Sequence, residues 1–106
     1  MVILIDGTPA AQPTDLRYEW LTVSGALVRQ FTLKYDYLSQ GDAETLFSRA
    51  CKPDGCALSL VDPATGQNQS LSVKAVEAVL PVLNEIAGSL SYAGASLVLR
   101  EAPTIP

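Results

Sequence analysis

Histidine is missing altogether from these 106 residues, and charge is sparse, with 17% of the chain Asp, Glu, Lys or Arg. The first absence excludes Ser-His-Asp and Cys-His catalysis, because no imidazole is present to take the nucleophile's proton. Serine or cysteine paired with lysine remains chemically open, but no motif supports it. Without histidine, the two cysteines, Cys51 and Cys56, also lack the partners of an ordinary zinc site. Seven basic residues are scattered among eleven acidic ones, for a net charge of −4. No basic stripe is available to neutralise a phosphate backbone, so a nucleic-acid partner is not expected. The N-terminal MVILIDG has no basic n-region and the longest apolar run is short. Neither a signal peptide nor a membrane span is expected, and this reading places the protein in the cytosol.

Nucleotide-cradling strings are absent as well: there is no GxGxxG and no GxxxxGK[ST], and the seven glycines fall at turn positions. The carboxylates Asp36, Asp42, Glu44, Asp54 and Asp62 read as a solvent-facing strand residue, helix-start charges and turn residues. A calcium loop at residues 62–66 would need more oxygen ligands at EF-hand spacing than the segment offers. The chain therefore reads as non-enzymatic, with no cofactor and no metal.

What is present is a hydrophobic fraction of 48% with a mean hydropathy of +0.22. At this length one domain, residues 1–106 with 102–106 as a flexible tail, can bury a core without disulfides. Two reduced, buried thiols are the expectation for Cys51 and Cys56, with Cys51 on a helix stripe and Cys56 opening a strand.

The stretch FTLKYDYLSQGDAETLF, residues 31–47, changes its period midway. Phe31, Leu33, Tyr35 and Tyr37 alternate with polar residues, which predicts a strand with one buried face. Ala43, Leu46, Phe47, Ala50 and Cys51 then follow helical spacing and predict a helix over about residues 40–51. Ser39 with Asp42 approximates a capping box, and Pro53 with Asp54-Gly55 stops the helix. Ala43, Leu46, Phe47 and Ala50 should pack on the sheet face carrying Phe31, Leu33 and Tyr35.

Further strands are predicted over residues 2–5, 16–23, 27–38, 56–61, 71–75 and 95–101. Ser24-Gly25 joins two of them as an antiparallel hairpin, and the later part of the 16–23 strand is expected to be covered on both faces. Asp62 to Gly66 has the chemistry of a hairpin turn. Residues 8–13 are too proline-rich to pair in a sheet, and residues 76–87 combine helical spacing with Pro81 and β-branched side chains, favouring strand and then loop. Tyr18, Trp20, Phe31, Tyr35 and Tyr37 are read as core aromatics rather than a base-stacking platform. The fold class is α+β, a mainly antiparallel β-sandwich or barrel-like sheet with one flanking helix.

The order of pieces resembles small tail-associated structural proteins of long-tailed bacteriophages and prophages, of the tail-tube, distal-tail or head–tail joining type. Tyr37, Leu38, Ser39, Leu46, Phe47, Asp62 and Gly66 carry it: an aromatic strand end, Leu-Ser, a short helix, a strand and an Asp-centred turn. Two departures, the short 23–26 connection and Tyr92 in place of a tryptophan, leave ring type and tail position open. The resemblance implies assembly: homo-oligomeric rings, often hexamers, contacting other tail proteins. It implies a location in the bacterial host cytoplasm during assembly and then in the virion tail. It also suggests contact loops at Asp6, Gln12 and Pro13, and at Asp62, Thr65 and Gly66, both charge-poor. The competing reading is a monomeric adaptor or small-ligand-binding domain acting on a host partner, its sheet edges blunted by Pro13 and Pro81.

Overall fold

The computed structural model describes residues 3–61 and 65–101. Its elements in order are β1 (Leu4–Ile5), β2 (Thr8–Pro9), β3 (Asp15–Val23), β4 (Ala26–Tyr35), β5 (Leu38–Ser39), α1 (Gln40–Ala50), β6 (Cys56–Val61), β7 (Asn68–Val79), β8 (Val82–Ile86), β9 (Ser89–Tyr92) and β10 (Ala95–Glu101). Seven strands form one antiparallel sheet in the order β2-β1-β6-β7-β10-β4-β3, and three form a second in the order β5-β9-β8. The two sheets pack as a sandwich-like fold with one helix.

The large sheet cannot be flat. Its outermost strands, β2 and β3, are consecutive in the chain and joined by residues 10–14 alone. That connection reaches at most about 20 Å, whereas six strand spacings in a flat sheet would separate the edges by about 29 Å. The sheet must curl, and the connection crosses the open side of the curl. Ala11 marks the crossing: its carbonyl accepts the Tyr35 hydroxyl at 2.9 Å, and Thr14 N–H donates to Lys34 O at 2.7 Å.

Inside the curl lie Ile5, Phe31, Leu33, Leu58, Val73, Leu97 and Leu99, all nearly inaccessible, with Ala43, Leu46 and Ala50 of α1. The helix starts as its sequence requires. The Ser39 side chain accepts from Asp42 N–H, and at the other end Cys51 N–H donates to Phe47 O at 2.9 Å. Its nearest strands are β1, β7, β5 and β9, so it meets Phe31, Leu33 and Tyr35 through the shared core rather than by lying along β4. Phe47 is only partly buried there, and Cys51, expected on the buried stripe, is exposed because the helix has already ended beneath it. Cys56 is buried as expected, and burial pushes its thiol up.

Several expectations are corrected. The strand predicted over residues 27–38 ends at Tyr35; Asp36 and Tyr37 carry the chain between sheets, and Leu38 pairs in the second one. Tyr37 is therefore 60% exposed instead of buried. Thr8–Pro9 does pair, at the sheet's edge, where a missing N–H can face away from the ladder. β3 is the opposite edge, not a strand covered on both faces, and none of its residues is fully buried. Residues 76–87, expected as strand and then loop, begin as strand, with β7 running on to Val79, but residues 82–86 form a further strand, paired in a hairpin with residues 89–92, where the loop was expected. The predicted 102–106 tail lies outside the described residues.

Candidate functional site

One end of the molecule is unlike the rest. Beyond Val79, Leu80 and Pro81 break the ladder and redirect the chain, and β8 and β9 then form a hairpin closed by Ala87-Gly88. Both turn residues have positive φ, 53° and 83°, as a type I′ turn demands; Ala87 supplies a conformation that normally favours Asn or Gly. β9 is anchored, because Tyr92 is buried beside Leu38 in the core and Leu90 N–H donates to Gln40 Oε1 at 2.7 Å. The same Gln40 amide donates to Glu44 at 3.1 Å, fixing the helix start against the hairpin. β8 hangs from the outer side of β9 and is the free edge of the small sheet.

All five β8 residues are exposed. Val82, Leu83 and Ile86 are 60%, 54% and 69% accessible, and Tyr37, Val76 and Val79 add further exposed apolar surface from the neighbouring segments. Tyr37, Ser39, Gln40, Leu83, Asn84 and Ile86 line a groove of about 430 Å³ on one side of the small sheet. Within it Ser91 Oγ donates to Asn84 Oδ1 at 2.5 Å. The groove offers hydroxyls, amides and apolar surface, and the β8 edge offers backbone donors and acceptors, which is the chemistry of contact.

Charge is distributed unevenly around this end. Segments 35–48 and 75–99, which build the small sheet and its approaches, hold Asp36, Asp42, Glu44, Glu77 and Glu85 and no Lys or Arg. All seven basic residues lie in the remainder, against six acidic ones. A two-point ion pair lies away from this end, on the large sheet: Arg29 grips Glu101 through Nε at 2.9 Å and Nη2 at 3.0 Å, with Gln69 accepting from Nη1 at 3.1 Å. This bonding from Arg29 holds the Glu101 carboxyl below the usual range.

The loops suggested as contacts are not brought together. Asp6 lies in the β1–β2 turn, where its carboxylate accepts from Ala57 N–H at 2.8 Å and from Lys52 Nζ. The Ala57 bond first, and Lys52 second, lower its pKa. Gln12 is exposed and Pro13 half-buried on the crossing between β2 and β3. Thr65 and Gly66 belong to the β6–β7 connection, at the opposite end of β6 from Asp6; Thr65 is exposed and its hydroxyl accepts from Gln67 N–H at 3.3 Å. Asp62 lies outside the described residues. Trp20 and Tyr37, read as core aromatics, are exposed, whereas Phe31 and Tyr35 are buried. Among the described residues, no group of three His, Cys, Asp or Glu is placed to hold a metal ion.

The β8 surface was missed in the sequence because its apolar residues also fit helical spacing. Ala87-Gly88 was a usable signal, since Gly88 permits the second turn residue's positive φ. Comparison with models of known protein families, with curated proteins and with solved structures finds no match for this chain.

Proposed function

We propose that the protein is a non-enzymatic structural component of a phage or prophage tail, assembling with copies of itself in a ring and contacting other tail proteins. The observation that supports self-assembly is β8: a sheet edge with every residue exposed and three of its five side chains, Val82, Leu83 and Ile86, apolar. Natural sheets normally protect such edges with charge, proline or a covering element. Here Pro81 precedes the strand, a register break follows Val82, and Glu85 is its one charge, so the protection is partial. The assignment to a tail rests on the resemblance of the strand–Leu38-Ser39–helix order and the Asp62–Gly66 turn.

Size-exclusion chromatography with light scattering over a concentration series tests self-assembly: a mass above the monomer that grows with concentration is expected. Labelling the protein in the parent particle and locating it by electron microscopy tests the tail assignment. The groove beside Ser39, Gln40 and Asn84 favours one second reading, a monomeric adaptor or small-ligand-binding domain. A strict monomer that saturates with a small ligand would decide for it.

A further inference from the structure

We infer that the groove on the small sheet binds a neutral saccharide of at least disaccharide length. This rests on the second reading above, that the groove takes a small ligand, and names the class of that ligand. Ser39 is the ladder partner of Ser91, and Ser91 in turn of Asn84, so the three form one row across β5, β9 and β8. Their strand neighbours Leu38 and Tyr92 are buried in the core, so alternation turns Ser39 and Ser91 to the opposite face. The bond from Ser91 Oγ to Asn84 Oδ1 puts Asn84 there too. Ser89 and Ile86, a ladder pair two residues along β9, are exposed on the same face. Tyr37 and Leu83, both more than half exposed, also line the groove.

The chemistry of this row selects the ligand. Ser39 Oγ accepts from Asp42 N–H, which leaves its O–H to donate. Ser91 Oγ donates to Asn84 and keeps lone pairs to accept, while the Asn84 amide nitrogen keeps its donors. Donor, acceptor and donor therefore follow one another across the sheet. Neighbouring sugar hydroxyls, each both donor and acceptor, match that order, whereas an apolar ligand would cover these groups and leave them unpaired. Two strand spacings separate Ser39 from Asn84 by about 10 Å, the length of a disaccharide. The exposed Tyr37 ring offers a flat apolar surface for the C–H face of a pyranose. Charge excludes the alternatives. The groove has no charged side chain among its described lining residues, so a cation finds no carboxylate in it. The surrounding segments hold carboxylates and no Lys or Arg, which disfavours a phosphate or an acidic sugar.

The test titrates the full, isotope-labelled chain with maltotriose, cellotriose and chitotriose and follows its amide resonances. At least one trisaccharide should saturate and shift the amides of Ser39, Gly41, Asn84 and Ser91. Tyr37→Ala and Asn84→Ala, both at exposed positions and checked for an unchanged thermal melt, should each weaken binding about tenfold. Tyr37→Phe keeps the ring and should bind nearly as the wild type does. Trigalacturonate, an acidic counterpart, should bind far more weakly than the neutral sugars. Binding that ignores both alanine variants, or that is as tight for trigalacturonate, overturns the inference. If no trisaccharide saturates while indole shifts the same amides, the saccharide is wrong and the small-ligand reading stands. Amides that move with none of these probes overturn both.

Discussion

Leu97 on β10 and Leu83 on β8 are the same residue type on strands that follow each other closely in the chain, yet one is sealed in the core and the other is more than half exposed. The difference lies in what covers each strand. β10 runs between β7 and β4 and beneath the residues that α1 and the curled sheet bring over it, so alternate side chains must enter the core. β8 has β9 on one side and nothing on the other in the sheet order, and β9 rather than β8 carries the residues that reach the core. The large sheet thus uses its apolar residues to hold the chain together. The small sheet keeps several of its own at the surface.

Truncation should expose this contrast most strongly. Leu97→Ala is expected to cost about 2–5 kcal/mol, the range for a fully buried leucine that leaves a cavity, read as a shift in the urea midpoint. A loss near zero would mean that β10 does not sit at the centre of the core.

Glycine substitutions sharpen the contrast next. At Gly55, φ is +83° and an added Cβ would collide with Val73 O and come within 2.9 Å of Lys74 Cγ; at Gly66, φ is +72° and nothing lies within 4 Å. Gly55→Ala is expected to cost about 3 kcal/mol or more, because steric conflict adds to strain, and Gly66→Ala about 1 kcal/mol, from strain alone. Equal effects on thermal unfolding would show that β7 does not press against the β6 start as described.

Acid should act on the large sheet through Glu101. Its pKa is lowered in the fold by Arg29, so the unfolded chain binds the proton more readily. The ion pair's contribution is present above the ordinary carboxylate range and is lost as pH falls through the lowered value. Asp6, lowered by Ala57 and Lys52, acts in the same direction. Glu101→Gln should cost about 1–3 kcal/mol at neutral pH and flatten the decline in stability as pH falls through and below the ordinary carboxylate range. An unaltered acid slope in denaturant titrations would remove the pair from this role.

Smaller effects belong to the small sheet. Ala87→Asn should stabilise the protein by about 0.5–1 kcal/mol, because asparagine tolerates the positive φ that alanine adopts there; calorimetry would detect it as a raised melting temperature. Leu83→Ala should change the stability of the isolated monomer by less than about 0.5 kcal/mol, and a loss comparable to that of Leu97→Ala would place β8 in the core after all.

Much of the fold was readable wherever period and punctuation agreed. Ser39 and Asp42 announced the helix start, Ser24-Gly25 the first long hairpin, and the alternation through Phe31, Leu33 and Tyr35 the buried face of β4. The small sheet was not readable in the same way. Tyr37 continues the alternation of β4, but Asp36 lies in a bend between sheets, so the continued pattern no longer points inward. Val76, Val79, Leu80, Leu83 and Ile86 match a helical stripe, and only the β9 ladder identifies residues 82–86 as extended.

The sequence by itself determined the local choices: where φ had to be positive, where the helix could start and stop, which strand faces were apolar, and that no histidine chemistry was available. Tertiary structure decided which apolar residues are core and which are surface, because burial depends on what other parts of the chain arrive to cover a strand. Short-range periodicity contains no record of that arrival. The curl of the large sheet, closed by residues 10–14, seals Leu97 from water, and the position of β8 outside β9 leaves Leu83 in it.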